Sequence, residues 1–268
     1  VGEAIVITSG KGGVGKTTTS ANVGTALAIL GKRVCLVDTD IGLRNLDVVM
    51  GLENRIIFDL VDVVESRCKL HQALVKDKRF EDHLYLLPAA QTSDKTAVKP
   101  EQMKVLVEQL KQEFDYIVID CPAGIEQGYK NAVAGADRAI VVTTPEKSAV
   151  RDADRIIGLL EQEDIEPPKL VINRIKNHMM ESGDMLDIDD IVYHLSIDLI
   201  GIVVDDENVI KASNNGEPIV LNPNYKASIA YRNIARRILG ESIPLQVITD
   251  EKKGVFQKIK KLFGAKSS

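Results

Sequence analysis

Between Ser9 and Thr18 the chain reads Ser-Gly-Lys-Gly-Gly-Val-Gly-Lys-Thr-Thr. Gly10 to Thr17 satisfies the spacing G-x-x-x-x-G-K-T, which average residue usage produces by accident in about one chain of this length in a hundred. A strand-like run, Ala4–Thr8, leads in, and a helix-like pattern leads out, which is the context a phosphate-binding loop requires. Gly12, Gly13 and Gly15 let the backbone around Val14 curl so that its N–H groups point at phosphate oxygens. The helix behind it adds a dipole equivalent to roughly half a positive charge. Lys16 can reach the β- and γ-phosphates, the Thr17 hydroxyl can ligate Mg²⁺, and Thr18 closes the run. The alternative is a glycine-rich turn with no ligand. A second lysine, Lys11, sits in the same loop, where another cation is repulsive unless it serves a different phosphate surface. Either it reaches the nucleotide of a second subunit or it is a solvated loop lysine.

Three aspartates fit beside that loop. Asp38 follows the apolar run Val34–Val37 and Asp120 follows Tyr116–Ile119, so both are expected at strand C-termini, on the edge where α/β sheets bind ligands. Asp120 suits the role of holding Mg²⁺ through a water. Phosphoryl transfer to water also needs a group that orients the nucleophile, and no Glu or Gln adjoins Asp120. Asp40, two residues past its strand, is the candidate, with Asp38 nearer the metal shell. Both could instead cap turns. Asn173-Arg174, at the end of Leu170–Asn173, offers an amide to an adenine edge and a guanidinium to stack on it, with Asp206 as a further candidate base contact. No N-K-x-D guanine motif is present, so ATP is expected over GTP. The four histidines show no ligand spacing and read as structural or surface residues.

The elements that must position these groups alternate along the chain. Runs at Ala4–Thr8, Val34–Asp38, His83–Leu87, Tyr116–Asp120, Ala139–Thr143, Leu170–Asn173 and Leu199–Val204 are apolar on successive residues, as in strands covered on both faces. Helical patterns lie at Thr17–Leu30, Glu101–Glu113, Ser148–Glu163 and Ser228–Leu239. That alternation predicts an α/β fold with a mostly parallel, doubly wound sheet. The 268 residues are 44% hydrophobic and 27% charged, which excludes collagen, disulfide knots and wholesale disorder. No apolar run approaches the length of a membrane span. The acid at Glu3 is unlike a signal peptide, and Cys35, Cys68 and Cys121 have no metal or redox spacing, so a cytoplasmic protein with reduced thiols is expected.

Charge is divided unevenly. The net charge is −5, but six lysines against Glu251 leave residues 251–268 at +5 and the other 250 residues at −10. On a helix, Val255, Phe256, Ile259, Leu262 and Phe263 fall within about 120° of one another, with Lys258 and Lys260 flanking them and Lys261 opposite. That is the pattern of an interfacial helix whose lysines snorkel to anionic headgroups. The alternatives are a helix docked on the protein's own core and a calmodulin-target or nucleic-acid patch. The expected organisation is a nucleotide-binding domain over 1–240, a linker over 241–253 and a membrane-targeting tail over 254–268.

The run K-G-G-V-G-K-T-T from Lys11 resembles the deviant phosphate loop of the ParA/MinD family of P-loop ATPases. The resemblance extends from Ala4 to about Gly264, through Asp38–Asp47, Ile119–Gly124 and the basic tail. It implies that Lys11 crosses the interface of an ATP-sandwich homodimer and that Asp40 positions the attacking water, with Pro122-Ala123-Gly124 as a second switch. It implies adenine contacts at Asn173, with Val204 standing where many relatives carry proline. It further implies a division-site-selection ATPase that is cytoplasmic but peripheral on the inner face of the membrane. Ser148, Asp152 and Asp154, which could otherwise be a solvated helix face, would then dock a MinC-type division inhibitor. An unidentified activating or positioning protein is a further expected partner. Two other readings compete: a ParA-type DNA-partition ATPase, disfavoured by the acidic body, and an iron–sulfur reductase, for which Cys121 directly after Asp120 is wrongly placed.

Overall fold

The structure, a computed structural model, describes residues 1–247. The tail expected over 254–268 lies outside them. The strands are β1 (Glu3–Thr8), β2 (Val34–Asp38), β3 (Val75–Lys76), β4 (Leu84–Leu87), β5 (Tyr116–Asp120), β6 (Arg138–Thr143), β7 (Lys169–Ile175) and β8 (Asp198–Val204). They form one sheet in the order β3-β4-β2-β5-β1-β6-β7-β8. Every neighbouring pair is parallel except the short antiparallel edge β3–β4. The helices are α1 (Lys16–Ile29), α2 (Leu46–Met50), α3 (Leu60–Val64), α4 (Leu70–Ala73), α5 (Pro100–Lys111), α6 (Gln127–Val133), α7 (Lys147–Leu160), α8 (Asn177–Glu181), α9 (Ile188–Leu195), α10 (Glu207–Asn214) and α11 (Lys226–Ile238).

Two apolar layers cover the sheet. On one face α1 and α11 bury Ala21, Val23, Leu27, Tyr231, Ile234 and Ile238 against Ile5, Ile7, Leu36 and Val118. On the other, α5, α6, α7 and α9 bury Met103, Leu106, Ala132, Ile156, Leu160 and Ile191 against Val6, Val37, Ile119 and Val141. Each fully buried Leu or Ile contributes about 1.5–3 kcal/mol, so α7 is held by its stripe Val150, Ala153, Ile156, Ile157 and Leu160 while Ser148 and Asp154 on its other side stay exposed. Local signals set the ends. Pro100 opens α5, where Gln102 Oε1 accepts from the Lys99 N–H at 2.8 Å. Gly31 follows α1 with φ +84°, a conformation that favours glycine.

All seven expected strands are present with ends shifted by at most one residue, except that β7 continues two residues further, to Ile175. A register shift lies between Ile172 and Ile175, so Asn173 and Arg174 sit in an irregularity rather than beyond the strand. The sequence patterns carry no warning of β3 or of the short helices α2, α3, α4, α6, α8, α9 and α10. Runs of two to eight residues hold too few periods to stand out. The stretch after α11 is held to the body at its start: Arg237 donates to the carbonyls of Ile243 (3.1 Å) and Pro244 (3.0 Å), and Leu245 and Val247 pack against the core.

Candidate nucleotide-binding site

The site lies at the C-terminal edge of the central strands. β1 pairs with β5 on one side and β6 on the other, and the loop Gly10–Gly15 rises from β1 between them into α1. Gly15, the residue before α1, has φ +100°, and a Cβ there would stand 2.3 Å from Asn173 Nδ2. Gly10 is required for a different reason: a Cβ would come within 1.9 Å of the Asp152 carbonyl oxygen, so the backbone of α7 rests directly on the loop. Spacing alone assigns curling to Gly12, but Gly12 meets only an ordinary contact with Ala123 at 3.7 Å. Lys16 is 8% exposed at the base of the loop.

Register places the carboxylates. Asp38 of β2 is level with Asp120 of β5, itself level with Ile7 of β1. Thr17 donates through Oγ1 to Asp120 Oδ2 at 2.8 Å, and Ser20 donates to its other oxygen at 2.9 Å. Thr39 Oγ1 donates to the Asp120 carbonyl at 2.6 Å, pinning the start of the Asp40 segment to β5. Asp38 and Asp120 are 1% and 2% exposed. Burial, reinforced by neighbouring carboxylates, pushes both well above the usual carboxylate range. Asp40 is also raised by burial, against the pull of Lys16 and Lys95.

Two oxygens of Asp38 accept backbone N–H groups, from Asp40 at 2.9 Å and Leu46 at 3.3 Å. Asp38 therefore does the turn-capping that the sequence left open, and it shapes the segment that carries Asp40. A cleft of about 40 Å³ lies beside Asp40, lined among others by Thr39, Lys95, Pro122, Ala123 and Tyr129. It has room for a water. Mg²⁺ fits this arrangement, because Thr17, Asp120 and Asp38 offer only oxygen donors and Asp38 is buried against the like charge of Asp120. Among the described residues no group of three or more His, Cys, Asp or Glu side chains forms a metal cage. That suits an ion held by one or two protein oxygens together with substrate phosphates.

Around the loop's outer side the residues have other partners. Lys11 Nζ donates to Ser148 Oγ at 3.0 Å and lies 3.9 Å from Glu146, both at the start of α7. Asn173 Nδ2 donates to the Val14 carbonyl at 2.9 Å, and Arg174, with φ +57°, donates to the Gly13 carbonyl at 2.6 Å. The groups expected to read adenine thus brace the back of the phosphate loop. Asp206 is likewise tied into the fold. It is buried as the cap of α10, accepting from the Asn208 N–H (3.0 Å), Asn208 Nδ2 (2.9 Å) and the Ala227 N–H (3.3 Å), which commits its carboxylate to the fold. Asp152 is half-buried beside Gly10, and Asp154 is exposed on α7. Sequence reasoning misses Ser20, Thr39 and Lys95. Ser20 has a readable signal, lying one turn beyond Lys16 and Thr17 on the same helix face. Lys95 has none, since its loop is far from the motifs in sequence.

Residues 5–219 match the model of the CobQ/CobB/MinD/ParA nucleotide binding domain. The chain is 80% identical to the septum site-determining protein MinD of Bacillus subtilis over the whole of both chains. The chain belongs to the MinD family. Among solved structures, MinD in the MinC:MinD cell division protein complex of Aquifex aeolicus superposes with a TM-score of 0.84 at 52% identity, covering 91% of this chain and 98% of that one. The MinD of Pyrococcus horikoshii, solved with Mg-ADP, has a TM-score of 0.81 at 29% identity, covering 89% and 96%. Among the described residues no helix is long and apolar enough to cross a membrane.

Proposed function

We propose that the chain is an ATP-driven, membrane-cycling switch that takes part in placing the division septum. Its substrate is ATP, bound with Mg²⁺, and its reaction is hydrolysis to ADP and phosphate. The loop N–H groups and Lys16 hold the phosphates; Thr17, Asp120 and Asp38 would hold the Mg²⁺ ion, which would supply charge stabilisation to the transferring phosphoryl group. Asp40, at the water-sized cleft, orients the attacking water. Thr39 ties the Asp40 segment to the strand that ends in Asp120, and Pro122 and Ala123 line the same cleft, so a change at the γ-phosphate has two backbone segments to move.

The observation that carries this reading is the direction of Lys11. Its ammonium lies on the outside of the loop, 42% exposed as a side chain, rather than alongside Lys16 in the phosphate cradle. From there it can leave Ser148 and Glu146 for the nucleotide of a second subunit. The Ser148, Asp152 and Asp154 side of α7, next to that lysine, is the proposed docking surface for a MinC-type inhibitor, supported by the MinC:MinD complex of a relative. The tail, through Val255, Phe256, Ile259, Leu262 and Phe263 with Lys258 and Lys260, is the proposed anchor on an anionic phospholipid leaflet. One short amphipathic segment binds weakly, and a dimer presenting two gains about 10²–10⁴ in avidity. Co-sedimentation with anionic vesicles tests this, with and without ATP and with DNA as competitor. ATP-dependent sedimentation unaffected by DNA is expected. Binding that is independent of ATP, or abolished by DNA, contradicts the reading.

A further inference from the structure

At the sheet edge opposite the phosphate loop, the end of α7, the segment entering β7 and the start of β8 enclose a cleft of about 340 Å³. Leu160, Ile165, Pro167, Pro168 and Ile197 supply apolar surface, and Glu161, Glu166 and Asp198 stand in its lining. Glu163 and Asp164, exposed in the segment between the lining residues Glu161 and Ile165, add acidic charge beside it. Glu166 and Asp198 have partners, Arg138 at 3.7 Å and Lys169 at 2.8 Å. Glu161, Glu163 and Asp164 have no ion pair among the described residues. An apolar cleft with an uncompensated acidic rim selects an occupant that is apolar on one side and cationic beside it.

The path of the chain leads there. α11 runs back to this edge, and Arg237 in its last turn donates to the Ile200 carbonyl of β8 at 2.9 Å as well as to Ile243 and Pro244. The chain thereby passes beside the edge strand from the α11 layer to the opposite one. Leu245 and Val247 pack on the same apolar cluster that contains Leu160, Leu195 and Ile197. Eight residue steps separate Val247 from Val255, enough to span up to about 26 Å. Residues 254–268 contain Phe256, Ile259, Leu262 and Phe263 with four lysines and no acidic side chain. We propose that this cleft is the resting seat of the chain's own segment 254–268, so that the acidic cleft and an anionic membrane compete for one basic, apolar ligand. The cleft side of that competition stands on the shape, charge and position of the cleft. The membrane side rests on the proposed function.

Amide hydrogen exchange of the full chain, free of nucleotide and membrane, separates the two. In the Phe256→Glu/Ile259→Glu variant, amides of residues 160–168 and 195–199 are expected to exchange several-fold faster than in the wild type. Unchanged exchange overturns the seat and leaves the membrane reading standing. A difference that grows with protein concentration assigns the seat to another copy's tail and overturns self-docking. As a second arm, Glu161→Lys/Glu163→Lys/Asp164→Lys touches no nucleotide-binding residue. It is expected to raise ATP-free sedimentation with phosphatidylglycerol vesicles by about tenfold, as three weak attractions become repulsions. Equal or weaker binding by this variant, with basal ATPase intact, also overturns the proposal.

Discussion

The inner wall of the phosphate loop and its outer shoulder lie within a few residues of each other and are built in opposite ways. The inner wall, with Lys16, Ser20, Asp38 and Asp120 buried and Thr17 half-buried, has its hydroxyls and carboxylates fixed by one another and by strand register. The outer shoulder joins Lys11 to Ser148 and Glu146 through an exposed hydrogen bond and a 3.9 Å ion pair. Exposed pairs of that kind are worth about 0–1 kcal/mol, so they release at small cost. A buried wall of this kind serves binding and chemistry within one chain, whereas a shoulder of weak bonds is suited to exchanging partners.

The contrast predicts unequal losses. Lys16→Ala removes a charge from a desolvated site and is expected to weaken nucleotide binding by about 10²-fold or more, read by titration with a fluorescent ATP analogue. Near-normal affinity would move Lys16 out of the wall. Asp40→Ala, at the boundary between the regions, should keep Mg²⁺·ATP binding but slow turnover by about 10²–10⁴-fold, measured as phosphate release with anionic vesicles present. Wild-type turnover would assign the water to another group.

The buried carboxylates give the wall a pH signature. Asp38 and Asp120 have folded pKa values raised above their unfolded ones. Their contribution to stability is fully present below the unfolded carboxylate pKa and is lost as pH rises through the folded values. The nucleotide-free chain should therefore melt at lower temperature as pH is raised upward from the carboxylate range, by the equivalent of about 1–3 kcal/mol. Mg²⁺ with ADP should offset that loss, and a melting temperature that climbs with pH in scanning calorimetry would contradict the charge assignment. The smallest effect is expected on the shoulder's far side. Asp154→Lys should weaken recruitment of a MinC-type protein to vesicles by about three- to tenfold with basal ATPase unchanged, as for an exposed interface charge. Recruitment equal to wild type would return that face to plain solvation.

Much of the wall is legible in the sequence because its signals are local. The glycine spacing with Lys16 and Thr17, and aspartates directly after apolar runs, each identify a strand end within a few residues. What the sequence conceals depends on approaches between distant segments. Gly10 opens the phosphate-loop spacing, but the reason it must be glycine, the α7 backbone at Asp152 more than 140 residues away, is not written there. Asn173 and Arg174 are legible as the end of an apolar run, but their hydrogen bonds to the phosphate loop, set up by the β7 irregularity, are not. The capping of α10 by Asp206 is hidden because that helix is only eight residues long. The fold class follows from alternation alone, while the short helices that complete the layers do not.

The most direct measurement is the mass in solution, by light scattering with ATP and Mg²⁺, of Asp40→Ala compared with Asp40→Ala/Lys11→Ala. The Asp40 change keeps ATP intact so that dimers accumulate, and parallel nucleotide titrations establish that both proteins are loaded. Asp40→Ala is expected at the dimer mass and the double variant at the monomer mass, with nucleotide bound in each. Equal dimer yields from both would contradict the assignment of Lys11 to the second subunit's nucleotide.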